Sequence, residues 1–108
     1  MRIHKVLPLL LAGAVMLPGA AAADDMDVTA GRNLALQWCS NCHVVAKGQT
    51  QAAIDSAPSF FAVANDSTTT ETGLRAFLGT PHPSMPNIAL SRDETTDLID
   101  YILSLQGQ

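Results

Sequence analysis

Apolar residues recur at helical spacing in three stretches of the chain, and nowhere do they alternate as a strand requires. In the first stretch Val28, Gly31, Ala35, Cys39 and Cys42 share a face, with Leu34 and Trp38 beside them and Asp27 placed as an N-cap. A glycine inside a helix costs about 1 kcal/mol relative to alanine, so Gly31 predicts a close approach by another backbone; the alternative is a tolerated surface glycine. In the second, Thr68 and Glu71 have capping-box spacing ahead of Leu74, Phe77 and Leu78, with Gly73 within the helix and Gly79 and Pro81 as stop signals. The third is the best defined: Ser91 and Glu94 form a capping box, Leu98, Ile99, Ile102, Leu103 and Leu105 line one side, and Gly107 ends it. Between the first two, residues 44–68 show no sustained period and read as loop, punctuated by Gly48, Pro58 and Asn65-Asp66, with one short turn around Phe60 and Phe61. No internal repeat is present. The expected class is all-α, three main helices joined by loops.

Upstream of these helices the pattern changes. Arg2 and Lys5 precede a wholly apolar run at 6–17, then Pro18-Gly19 and alanines at 20–23. This is the order of a secretory signal: basic start, apolar centre, small-residue cleavage site, with a cut after Ala23 satisfying A-x-A through Ala21 and Ala23. A retained membrane anchor is the alternative, because residues 6–23 carry no charge over a length close to the ~20 residues that span a bilayer. Pro8, Pro18 and two glycines disfavour a stable spanning helix, so the expected organisation is a signal peptide at 1–23 and one domain at 24–108.

Composition then narrows the function. Of 108 residues, 47% are apolar and 15% charged, too apolar for a disordered chain, while only 5% are aromatic. Without the signal, 85 residues remain with four basic against ten acidic groups, net −6, which removes the electrostatic footprint of a nucleic-acid binder. A domain of that size rarely draws more than ~3–5 kcal/mol from a single core, so an added staple is expected.

Cys39-Ser40-Asn41-Cys42-His43 supplies one. C-x-x-C-H is the spacing at which two thiols bond the vinyl groups of a haem while the following imidazole meets the iron. A dithiol redox pair usually opens a helix in a βαβ context, and no strand pattern precedes this one. A structural zinc would need two further soft ligands, but the chain has no other cysteine. A plain disulfide suits an exported chain but leaves His43 and the small core without explanation. For a second axial ligand the candidates are Met26, Met85 and His82. Met26 lies too near the start of the first helix to reach the opposite haem face. Met85 stands in a loop at 79–87 that holds Pro81, Pro83 and Pro86, which restrict the backbone and place its sulfur at low entropic cost.

Gly31 eight positions before Cys39, the CSNCH motif, a proline-rich loop with Met85-Pro86, and a final helix containing Leu98-Ile99-Asp100-Tyr101 together resemble class I cytochromes c, especially short bacterial ones, over residues 27–106. The resemblance implies one haem c bound through Cys39 and Cys42, His43 and Met85 as axial ligands, the Pro58 carbonyl as acceptor for the other His43 ring N–H, and a crossing of first and last helices at Gly31 near Leu98 and Tyr101. Ala35 departs from it, since many relatives carry an aromatic residue there. The aromatic propionate partners of longer members have no counterpart beyond Trp38 and Tyr101.

With both axial positions filled by the protein, the expected function is one-electron transfer by a soluble, monomeric periplasmic carrier between redox partner proteins, with no small-molecule substrate and no catalytic residue. Two alternatives remain: a cytochrome subunit held permanently by a dehydrogenase or oxidase, and a haem sensor or peroxidase-like protein with a displaceable Met85. On the family's architecture residues 79–91 and the region around 39–45 border the haem edge; the former has no charge apart from a protonated His82, so the resemblance implies a nearly neutral docking face with Lys47 as its basic group.

Overall fold

A computed structural model describes residues 8, 12–16, 22–50, 54–81 and 84–108, with backbone alone at 22–27. Most of the expected signal peptide, together with His82, Pro83 and the Met26 side chain, lies outside the described residues. Helices α1 (Ala22–Trp38), α2 (Phe60–Asn65), α3 (Glu71–Leu78) and α4 (Arg92–Ser104) make up the regular structure; among the described residues there is no β-strand, and the fold is all-α. Among those residues, no helix is long and apolar enough to cross a membrane.

The termini of the helices follow from local chemistry. In α4 the Ser91 hydroxyl accepts from the Glu94 N–H at 3.1 Å and the Glu94 carboxylate accepts from the Ser91 N–H at 2.8 Å, the reciprocal box expected. The α3 box is corrected. Thr68 turns back on Asp66, its N–H and hydroxyl both donating to the Asp66 carboxylate at 2.8 and 2.7 Å. Thr70 caps instead, accepting from the Gly73 N–H at 3.0 Å, while Glu71 is the first helical residue and pairs with Arg75 at 2.7 Å. Helix α2 replaces the single turn expected near Phe60: Ser59 caps it by accepting from the Ala62 N–H at 3.0 Å, and six residues are too few to display a helical period.

Helix α1 also differs from expectation at both ends. It begins at Ala22, so Asp27 is an interior residue and not the cap, and the alanines at 22 and 23 favour helix. It ends at Trp38 because the Ala35 carbonyl accepts from both the Cys39 and Ser40 N–H groups, at 2.9 and 3.1 Å, which widens the last turn and releases the chain. Cys39 and Cys42 therefore stand on a turn.

Helices α1 and α4 form the main packing contact, and α2 and α3 both lie against α4. Gly31 marks the crossing. A Cβ built there would overlap the Asp97 carbonyl and stand 2.7 Å from Tyr101 Cβ, so glycine is what permits this approach. Beneath it one cluster joins Ala35, Val45, Ala46, Phe60, Ala64, Leu98, Tyr101, Ile102 and Leu105, with Leu74, Leu78 and Leu90 packed partly against it. Ala35 is fully buried in that cluster, which leaves no room for an aromatic side chain there without displacing α4 or Val45.

Candidate functional site

The site is built on the turn after α1. With Cys42 and His43 N–H groups both donating to the Cys39 carbonyl, at 3.1 and 2.9 Å, the chain winds tightly enough to gather two thiols and an imidazole within five residues. Neither cysteine is in a disulfide, and both are half-buried. Burial, and secondarily the neighbouring Cys42 sulfur, push the Cys39 thiol up to about 11, away from the lowered pKa of a redox-active thiolate.

His43 is oriented by a distant loop. Its Nδ1 lies 2.6 Å from the Pro58 carbonyl oxygen, and because a carbonyl only accepts, Nδ1 carries a proton and Nε2 is the ring nitrogen left for another partner. The Phe60 ring packs beside the imidazole with centroids 5.4 Å apart, and the Phe60 N–H donates to the Val44 carbonyl at 2.9 Å, fastening the two loops next to the ring. An imidazole held this way, with Nδ1 committed to a carbonyl, is oriented as metal-bound imidazoles are.

Cys39, Met85 and Pro86 line one narrow cleft, with Phe77, Leu78, Ile88, Leu90 and Leu98 as its apolar walls and Thr80 and Asn87 as its polar members. Pro58 is not among the residues lining the cleft; it meets His43 at Nδ1. The half-buried Met85 thus presents a soft thioether in the cleft that Cys39 also lines. Among the described residues no three His, Cys, Asp or Glu side chains gather into a metal cage, so an ion held by such side chains alone has no ligand set there. Of the expected haem-holding residues, Cys39 and Met85 line this cleft, while Cys42 and His43 stand on the turn that follows Cys39 and are not part of its lining. As donor types, two thiols, an imidazole nitrogen and a thioether fit a haem bound by thioethers and ligated by nitrogen and sulfur.

Two contributors escaped the sequence reading. Tyr101 reaches from α4 to donate to the Val45 carbonyl at 2.5 Å, and the Gln49 side chain bonds the backbone on both sides of His43. For Tyr101 the motif position suggested only a packing role, and a lone glutamine in a loop carries no signal of its own.

No family model matches the chain. No solved structure matches it. Among curated proteins the chain is similar to cytochrome c-552 of Bradyrhizobium diazoefficiens, 43% identical over 107 residues that cover 98% of this chain and 99% of that protein.

Proposed function

The chain belongs to the small class I cytochrome c family, and from that premise we propose that it is a periplasmic electron carrier whose haem c is held by Cys39, Cys42, His43 and Met85. The observation that carries this reading is the placement on one largely apolar cleft of Met85 and of Cys39, which stands four residues before a histidine whose Nδ1 is already committed to Pro58. When bound, haem c supplies a one-electron ferric/ferrous couple. Cys39 and Cys42 would hold it through thioethers, His43 Nε2 and Met85 Sδ would ligate its iron, and the Pro58 carbonyl orients the imidazole ring. Thioether ligation favours ferrous iron, and the apolar walls favour the less charged state further. With His43 and Met85 both serving as ligands the iron would keep no position for a substrate, which is why the reading is a carrier that docks to redox partner proteins and not an enzyme. The chain reaches the periplasm through the signal at 1–23, and cleavage after Ala23 trims the first two residues of α1.

Intact-mass measurement of the purified holoprotein, before and after acidified-acetone extraction, tests this. The expected mass is residues 24–108 plus one haem, unchanged by extraction, and Cys42→Ala retains at most one thioether. Release of all haem by the solvent contradicts the reading.

A further inference from the structure

The turn that carries both cysteines and His43 belongs to no helix or sheet, so its backbone groups need individual partners. The Cys42 carbonyl accepts from the Ile54 N–H at 3.2 Å, the Val44 carbonyl from the Phe60 N–H at 2.9 Å, and the Val45 carbonyl from the Tyr101 hydroxyl at 2.5 Å. One side chain serves three others. Gln49 Nε2 donates to the Ser40 carbonyl at 3.1 Å and to the His43 carbonyl at 2.9 Å, while Gln49 Oε1 accepts from the Val45 N–H at 2.8 Å. Gly48, at φ 75° in the left-handed region, turns the chain between Ala46 and Gln49, whose N–H donates back to the Ala46 carbonyl at 3.4 Å. That turn folds the carboxamide over the segment it bonds.

We propose that Gln49 is a positioning residue for His43, an amide clamp that holds the backbone of the ligand turn while Pro58 holds the ring; the proposal rests on the haem reading above. A primary amide offers two donors and an acceptor on one planar group, which is the set these three contacts use. Glutamate keeps the acceptor for Val45 but turns a carboxylate toward two carbonyls. Methionine keeps the length and offers no comparable partner. Because the amide does not titrate, the clamp is the same across the physiological pH range. His43 is thereby restrained at both its backbone and its imidazole, which sets the plane of the ring independently of the cleft walls.

The test compares the holoproteins of wild type, Gln49→Met, Gln49→Glu and Ser91→Ala, the last removing the α4 cap and so lowering stability at a distant place. Two readouts are used: hydrogen exchange of the Val45 amide, and the electron paramagnetic resonance g values of the ferric protein, which respond to the orientation of the axial imidazole. In Gln49→Met the Val45 amide is expected to exchange at least about tenfold faster, as for a lost hydrogen bond, with shifted g values. In Gln49→Glu the g values shift while Val45 keeps part of its protection. Ser91→Ala leaves both readouts at wild-type values. The proposal is overturned if Gln49→Met leaves the g values unchanged with haem in place, whatever the Val45 exchange, or if Ser91→Ala moves them as far. Absence of covalent haem from the wild type overturns the haem reading as well, so the two failures are told apart.

Discussion

At the scale of single residues, the buried Tyr101 hydroxyl is the clearest case of a side chain whose chemistry is set by its surroundings. It is 3% exposed and bonded to the Val45 carbonyl, so Tyr101→Phe leaves a buried acceptor without its donor and is expected to cost about 1–3 kcal/mol in denaturant unfolding. Burial raises its pKa above that of an ordinary phenol, against a smaller lowering by Arg32. The neutral form therefore contributes stability that is complete below the unfolded value near ~10 and is lost as pH rises through the higher folded value. Wild type should weaken above about pH 10 in a way that Tyr101→Phe does not, a difference read from denaturation midpoints between roughly pH 8 and 11. His43 and the cysteines were legible because their spacing is itself the chemistry. Gln49 was not, because its role depends on a Gly48 turn that brings it back over residues 40–45. The same is true of Pro58: its pairing with His43 spans fifteen residues, and only the family resemblance pointed to it.

Among the elements, the crossing of α1 and α4 decides the architecture, and Gly31 decides the crossing. An alanine there gains about 1 kcal/mol of helix propensity but drives a Cβ into the Asp97 carbonyl, a backbone atom of a packed helix that has little freedom to yield. Gly31→Ala is accordingly expected to destabilise by about 1–3 kcal/mol, measured by chemical denaturation of the holoprotein. A gain in stability would mean that the two helices do not meet there. The apolar periods and the Ser91 box made α4 legible, since both signals lie within one element. Boundaries set by competition between neighbours were less so: Thr68 and Thr70 are both plausible caps, and Asp66 wins the former for a turn of its own. The C-terminus of α1 depends on the Ala35 carbonyl taking two donors, a detail that no period in the sequence displays.

Over the whole molecule, the charged residues are unevenly distributed. Acidic residues run along α4 at Asp93, Glu94, Asp97 and Asp100, whereas residues 79–91, which include Met85, carry no carboxylate, lysine or arginine. Docking led by that neutral face predicts only a modest salt dependence of the association rate, because screening shortens long-range steering to ~10 Å at ~0.1 M. Stopped-flow rates with the native redox partner, from roughly 0.01 to 0.5 M salt, should fall less than about tenfold; a steeper fall would assign docking to the acidic face of α4. The central claim, a carrier with His43 and Met85 on one haem iron, is tested most directly by the visible spectrum of the ferric holoprotein. The sulfur-to-iron charge-transfer band should be present in wild type and in His82→Ala and absent from Met85→Ala. A band that survives in Met85→Ala, or disappears in His82→Ala alone, would contradict it.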